Sequence, residues 1–275
     1  MPEKPEVMTV TSKLERKLLN RKIISAKVYY DSIIEYPSVS EFEKNIKNQT
    51  MKNFTTRGKW IVIELDDYYL LFHLRMEGKF YYREIGSELE KHHHVVFNID
   101  NDEELHFADV RKFARVKLIP KDKLMEMKPF NELGLEPWDP NLTPKYLLDK
   151  FKNKKLPIKT VLLDQKIITG IGNIYDDEIL FLSKINPLTK ASELKEKELK
   201  LIIDNTISVL NKAIKEGGTT IRNYTSEEGV TGLFQNNLLV HTKVGEPCPV
   251  CKTTIVKIKV GGRGTYYCPK CQKVK

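Results

Sequence analysis

Cys248-Pro249-Val250-Cys251 and, after sixteen residues, Cys268-Pro269-Lys270-Cys271 contain all four cysteines of the chain. Two CxxC knuckles at this spacing place four thiolates around one tetrahedral Zn²⁺. Two disulfides or a redox-active CxxC are the competing readings. They suit an oxidising compartment, and the N-terminal stretch lacks the apolar core of a secretory signal. Between the knuckles, Thr253-Thr254-Ile255-Val256-Lys257-Ile258-Lys259-Val260 alternates as a strand does. Gly261-Gly262-Arg263-Gly264-Thr265 then gives a turn signal. The expected element is a zinc-stapled β-hairpin with Arg263 at its tip. So short a hairpin buries little apolar surface, so the metal acts as its core.

Composition bounds the rest. A length of 275 residues favours two domains, and 40% apolar with 30% charged residues suits a soluble fold. No apolar run is long enough to cross a bilayer, which makes the cytoplasm the expected compartment. Lys and Arg number 46 against 37 Asp and Glu, a formal charge of +9. Residues 241–275 carry eight Lys/Arg and one acid, Glu246. A second basic run is Lys150, Lys152, Lys154, Lys155 and Lys159. A charge run alone fits a solvated surface equally well. Joined to a zinc hairpin, it points to a polyanionic partner, nucleic acid.

Taken in order, Pro2-Glu3-Lys4-Pro5-Glu6 leads into Val7, Val10, Leu14 and Leu18 at helical spacing. Pro5 suits the first turn of that helix and Glu6 its positive end. Strands are expected at Lys22–Tyr30, Thr55–Leu65, Tyr68–Arg83, His93–Asp100 and Glu103–Pro120, with a short helix at Ser40–Lys47. Successive strands without long helices between them predict an antiparallel sandwich. Pro129, Gly134, Pro137, Trp138 and Pro140 mark residues 128–142 as a linker. Residues 144–216 are helical. The last of these helices has the stripe Leu199, Ile203, Ile207, Leu210 and Ile214, started by Ser192 and stopped by Gly217-Gly218. Gly170-Ile171-Gly172-Asn173 precedes a helix start, where backbone and dipole favour an anion, although a tight helix–helix turn has the same look. The polar loop at 219–240 is long enough to be functional.

Pro2-Glu3-Lys4-Pro5-Glu6-Val7, Arg57-Gly58-Lys59, Gly170-Ile171-Gly172-Asn173-Ile174-Tyr175 and Gly262-Arg263-Gly264-Thr265, followed by the second knuckle and Gln272, together resemble the formamidopyrimidine-DNA glycosylases. These are base-excision repair enzymes related to endonuclease VIII. The resemblance spans the chain in the right order. It implies an α+β multi-domain fold: an antiparallel β-sandwich with an N-terminal helix (1–127), the linker (128–142), a helix-two-turn-helix domain (143–237) and a zinc finger (238–275). It also implies double-stranded DNA held between the domains, one structural Zn²⁺ on Cys248, Cys251, Cys268 and Cys271, and a chain that suffices as a monomer.

The chemistry has a physical basis. An N-terminal proline is a secondary amine with a pKa of about 8, low enough to be partly unprotonated at neutral pH. It can attack C1′ of a nucleotide and form an iminium. That electron sink acidifies the C2′ proton, and the 3′ and then the 5′ phosphate can be eliminated. By resemblance Pro2 is the nucleophile and Glu3 the adjacent acid/base, with Glu6 one turn further on to orient the site or cap the helix. Removal of Met1 is required, because otherwise the Pro2 nitrogen is an amide. Lys59 and Asn173 are expected to grip phosphates flanking the lesion, Lys59 also assisting catalysis. Arg263 is expected on a phosphate through its planar fork, and His92, Arg111 and Lys155 at further DNA contacts. A metal cluster at His92-His93-His94 is the rival reading; it is discounted because neighbouring strand residues face opposite ways.

An enzyme of this kind must extrude its target base and fill the gap. Met76, Arg111 and Phe113 match the inserting trio, an apolar wedge plus an arginine. Met76 with Arg111-Lys112-Phe113 favours the formamidopyrimidine branch, hence oxidised purines; oxidised pyrimidines, as in endonuclease VIII, are the alternative. A zinc-ribbon DNA binder without catalysis is the third reading. The chain departs from the branch pattern at Lys4 and Val110, where leucine and proline are common. Lys4 is expected to place a positive charge near the Pro2 amine and lower its pKa.

Overall fold

Glu3 and Glu6 start the first helix, α1 (Lys4–Leu18), through a reciprocal capping box in which the Glu3 N–H donates to Glu6 Oε2 at 2.8 Å. Val7, Leu14 and Leu18 are buried along one face, and Val10 packs at its border. The computed structural model describes residues 1–219 and 233–273. Two units emerge from it: Met1–Asn131 with Thr219, and Glu132–Gly218 with the chain from Leu233 onward. Of the polar loop at 219–240, residues 220–232 lie outside the described residues.

The first unit is a sandwich of two five-stranded sheets. Its strands are β1 (Lys22–Val28), β2 (Ile34–Tyr36), β3 (Gln49–Thr50), β4 (Asn53–Arg57), β5 (Trp60–Glu64), β6 (Tyr68–His73), β7 (Lys79–Glu84), β8 (His93–Ile99), β9 (Glu103–Ala108) and β10 (Arg115–Pro120), with α2 (Val39–Asn45) between β2 and β3. The sheet orders are β3-β1-β8-β9-β7 and β2-β10-β6-β5-β4. All pairings are antiparallel except β2 with β10, which is parallel. Phe72 of one sheet meets Phe97 and Phe107 of the other edge-to-face, with ring centroids 5.9 and 5.0 Å apart.

Three expected long strands are each broken in two: Thr55–Leu65, Tyr68–Arg83 and Glu103–Pro120. Each break contains a residue in the left-handed region: Gly58 (φ 56°), Arg75 (φ 51°) and Lys112 (φ 58°). The first break is a hairpin turn within one sheet, and at the other two the chain passes from one sheet to the other; strand-like residues flank each break closely, so the sequence pattern does not register it.

The second unit contains α3 (Pro144–Phe151), α4 (Ile158–Leu162), α5 (Asn173–Leu182), α6 (Glu196–Lys215) and the hairpin β11 (Val256–Val260) with β12 (Arg263–Tyr267). Thr143 caps α3, accepting the Tyr146 N–H at 3.2 Å. Helix α6 starts later than expected. Lys195 is its N-cap, and Ser192 lies in a separate 3₁₀ turn. Its buried face is Leu199, Ile202, Ile203, Thr206, Val209, Leu210 and Ala213; Ile207 and Ile214 lie at its margin. Part of the stretch read as a linker is packed into this unit. The Gly134 N–H donates to Gln165 O at 2.9 Å, and a Cβ there would sit 2.3 Å from Ile167 O. Among the described residues no helix is long and apolar enough to cross a membrane.

Candidate active site and zinc hairpin

In the first unit the N-terminal stretch is sequestered. Pro2 is buried, and Glu3 and Glu6 are 2% and 6% exposed. Glu6 has a second function that the sequence did not reveal. Its Oε1 accepts from Thr219 N at 2.8 Å and Thr219 Oγ1 at 3.1 Å, tying the helix start to a residue 213 positions away. Burial lowers the pKa of the Met1 amine; the charges of Glu3 and Glu6 oppose this, and the smaller effects of Lys59 and Arg111 add to it. Lys4 is buried, and its Nζ donates to Thr56 O of β4 at 3.3 Å.

Lys59 occupies the two-residue turn between β4 and β5, where Gly58 supplies the positive φ, and is only 6% exposed. Met76 is exposed in the turn after β6, and Phe113 in the loop before β10. The Arg111 guanidinium lies over the Phe113 ring, 4.9 Å from its centroid. Asp109, which the sequence reading did not single out, holds that loop: its carboxylate accepts the N–H groups of Arg111, Phe113 and Ala114 at 3.0, 2.7 and 2.7 Å. An acidic residue two positions before an exposed loop was the available signal. His92 precedes β8 with φ 74°, and its ring meets that of His94 with centroids 6.4 Å apart, but the histidines form no metal-holding group among the described residues. His93 Nδ1 meets His106 Nδ1 at 2.8 Å, and His94 Nε2 meets Asp109 O at 2.8 Å.

In the second unit Asn173 is the first residue of α5, after Gly172 as N-cap, and its Nδ2 donates to Gly264 O of β12 at 3.0 Å. The turn glycines therefore bring a helix start against the hairpin. Arg263 opens β12 and is exposed; Lys155 is exposed between α3 and α4. Lys159, counted in the basic run, is not on the surface. It is fully buried, with Nζ 2.7 Å from Asp177 Oδ1 and 3.0 Å from Asn173 O.

The four cysteine sulfurs lie within 4.8 Å of one another, and they are the one His/Cys/Asp/Glu group among the described residues arranged to hold a metal. Separations of 3.8 Å (Cys248–Cys271) and 3.4 Å (Cys251–Cys268) approach the edge of about 3.8 Å that a tetrahedron with Zn–S of about 2.3 Å requires. Burial pushes the Cys268 and Cys271 thiols up, while hydrogen bonding with Thr253 lowers Cys251 to about 6; a cation at their centre would hold them as thiolates. The chain on either side of the hairpin does not rely on metal alone. Glu178 of α5 accepts the N–H groups of Leu239, Val240 and His241 at 2.8, 3.0 and 2.9 Å. Gln272 receives Cys268 N–H and donates to Ile185 O, both at 2.9 Å.

Three family models match the chain in succession: the formamidopyrimidine-DNA glycosylase N-terminal domain over residues 1–116, the H2TH domain of the same enzymes over 133–225, and the zinc finger found in FPG and IleRS over 245–274. The chain belongs to the formamidopyrimidine-DNA glycosylase family. Relatives bearing that name include those of Exiguobacterium sibiricum, 44% identical over 275 residues (100% of this chain, 99% of the relative), and Bacillus anthracis, 43% identical over 273 residues (99% of each). The complex of Lactococcus lactis Fpg with abasic-site DNA superimposes with a TM-score of 0.92 at 39% identity, covering 99% of this chain and all of that one. MutM bound to carbocyclic 8-oxo-G DNA gives 0.91 at 39% identity, with the same coverage. This member of the family is thus a DNA-repair glycosylase, and its cysteine cluster fits one structural Zn²⁺.

Proposed function

We propose that this glycosylase excises oxidised purines from duplex DNA through a Schiff base on Pro2, then cleaves the strand by β,δ-elimination. The carrying observation is the buried N-terminal stretch. Pro2 and Glu3 are both buried, and burial lowers the pKa of the Met1 amine next to Pro2, with Glu3 and Glu6 opposing this and Lys59 and Arg111 adding to it. Once Met1 is removed, the Pro2 nitrogen is a secondary amine in those surroundings. Its lone pair attacks C1′ while the glycosidic bond breaks toward the base, and Glu3 carries the proton that the ring opening requires. The iminium drains electron density from C2′, the C2′ proton is removed, and the 3′ and then the 5′ phosphate leave. Glu6 fixes the helix start that carries Pro2 and Glu3.

Lys59, Asn173 and Arg263 are assigned to phosphates, with Lys59 also assisting catalysis and Arg263 the later elimination; His92, Arg111 and Lys155 add DNA contacts. Met76, Arg111 and Phe113 fill the space left by the extruded base, an assignment supported by their exposure on loops. The zinc supplies no step; when bound, it fixes the hairpin that bears Arg263. Relatives described with Fapy-dG and 8-oxo-G DNA support the purine reading. Lactococcus lactis Fpg has also been described with oxidised-pyrimidine DNA, which keeps a second substrate in view. Single-turnover excision of 8-oxoguanine opposite cytosine, compared with thymine glycol, tests the choice. The purine is expected to be removed faster, and a clear preference for thymine glycol overturns the assignment.

A further inference from the structure

We infer that His73 is a positioning residue for the base-extruding loops, a role that rests on the glycosylase reading above. Three strand ends meet in one row of the second sheet. Trp60 of β5 pairs with His73 of β6, and His73 pairs with Arg115 of β10. Directly opposed residues project to the same face of a sheet. Each of the three adjoins a segment assigned to DNA: Lys59 precedes Trp60, the Met76 turn follows His73, and the Arg111–Phe113 loop precedes Arg115.

His73 is the middle member, and its contacts run outward to these segments. Its Nδ1 accepts the N–H of Arg75 at 3.1 Å, and Arg75 is the residue at φ 51° in the turn that carries Met76. Its ring packs edge-to-face on Trp60 at 5.0 Å, beside the Lys59 turn. On the other flank, Arg115 Nη1 donates to the carbonyls of Phe113 and Ala114 at 3.1 and 2.8 Å. An acceptor at Nδ1 requires the neutral imidazole with its proton on Nε2. The surroundings enforce that form. Burial, then Arg75, Lys59 and Arg115, lower the pKa of His73 to about 3. A histidine that merely filled space in the sheet would not require a lone pair aimed at the turn.

Two substitutions separate the roles. His73→Phe keeps the ring and its packing but removes the acceptor; His73→Asn restores an acceptor at the Nδ1 position. Each is compared with wild type on an 8-oxoguanine duplex and, by borohydride trapping, on a duplex with a preformed abasic site, which has no base to extrude. Excision by His73→Phe is expected to fall by about tenfold or more, with abasic-site trapping within about threefold of wild type. His73→Asn is expected to recover most of the excision loss. A 2-aminopurine beside the lesion is expected to show slowed unstacking in His73→Phe alone. Equal losses in both variants, or a parallel loss of excision and trapping in His73→Phe, overturn the inference. A wild-type protein freed of Met1 that is trapped by neither duplex contradicts the glycosylase reading itself.

Discussion

Glu3, Glu6 and His73 show how far single residues could be read. The sequence placed both carboxylates at a helix start and named Glu3 as an acid/base, which the burial of its side chain supports. Glu3→Gln is expected to lower single-turnover excision by about 10²- to 10⁴-fold, the usual reach of a positioned acid/base, with little change in thermal midpoint. The Glu6 tie to Thr219 was not legible, because nothing local links residues 213 positions apart. Glu6→Ala leaves the Glu3 and Thr219 N–H groups unpaired and is expected to cost about 1–3 kcal/mol in urea unfolding; Glu6→Gln, which keeps an acceptor, is expected to cost less. His73 adds a pH signature. Its folded pKa, about 3, lies below the unfolded 6.5, so its stabilisation is complete above about pH 6.5 and is lost as pH falls toward 3. In His73→Asn that increment disappears, and the decline in unfolding free energy between pH 6.5 and 4 becomes shallower.

The elements divide the same way. The zinc hairpin was legible from two knuckles and a glycine turn, because metal geometry fixes ligand spacing. Its anchorage was not. Glu178, Asn173 and Gln272 engage it through contacts that depend on tertiary placement, such as Asn173 to Gly264, 91 residues apart. The sandwich strands were found, but three were read straight through their turns. Those turns carry Lys59, Met76 and the Arg111–Phe113 loop, so the missed punctuation coincides with the proposed DNA contacts. Arg263→Ala is expected to retain one zinc per chain in a colorimetric release assay, bind lesion DNA more weakly, and accumulate the β-elimination product at the expense of the δ product. Stripping the metal with a chelator is expected to remove DNA binding, whereas Arg263→Ala only weakens it.

For the whole molecule, a charge of +9 predicts strongly salt-dependent DNA binding, with log K falling linearly in log salt concentration. Losing one phosphate contact through Arg263→Ala is expected to make that slope shallower by about 1. Charge totals misled in one detail: Lys159 belongs to a buried ion pair with Asp177 and contributes no exposed charge. The family was legible because four motifs recur in order along one chain, and the structure gives each a local cause: a capped helix start, a two-residue turn, a helix N-terminus and a metal-held hairpin. The central claim concerns one atom, the Pro2 nitrogen. Protein shown by mass spectrometry to lack Met1 is incubated with an 8-oxoguanine duplex, reduced with borohydride and digested, and the adduct is mapped. A deoxyribose remnant on the peptide that begins at Pro2 is the result this account predicts; a remnant on a lysine, or none, contradicts it.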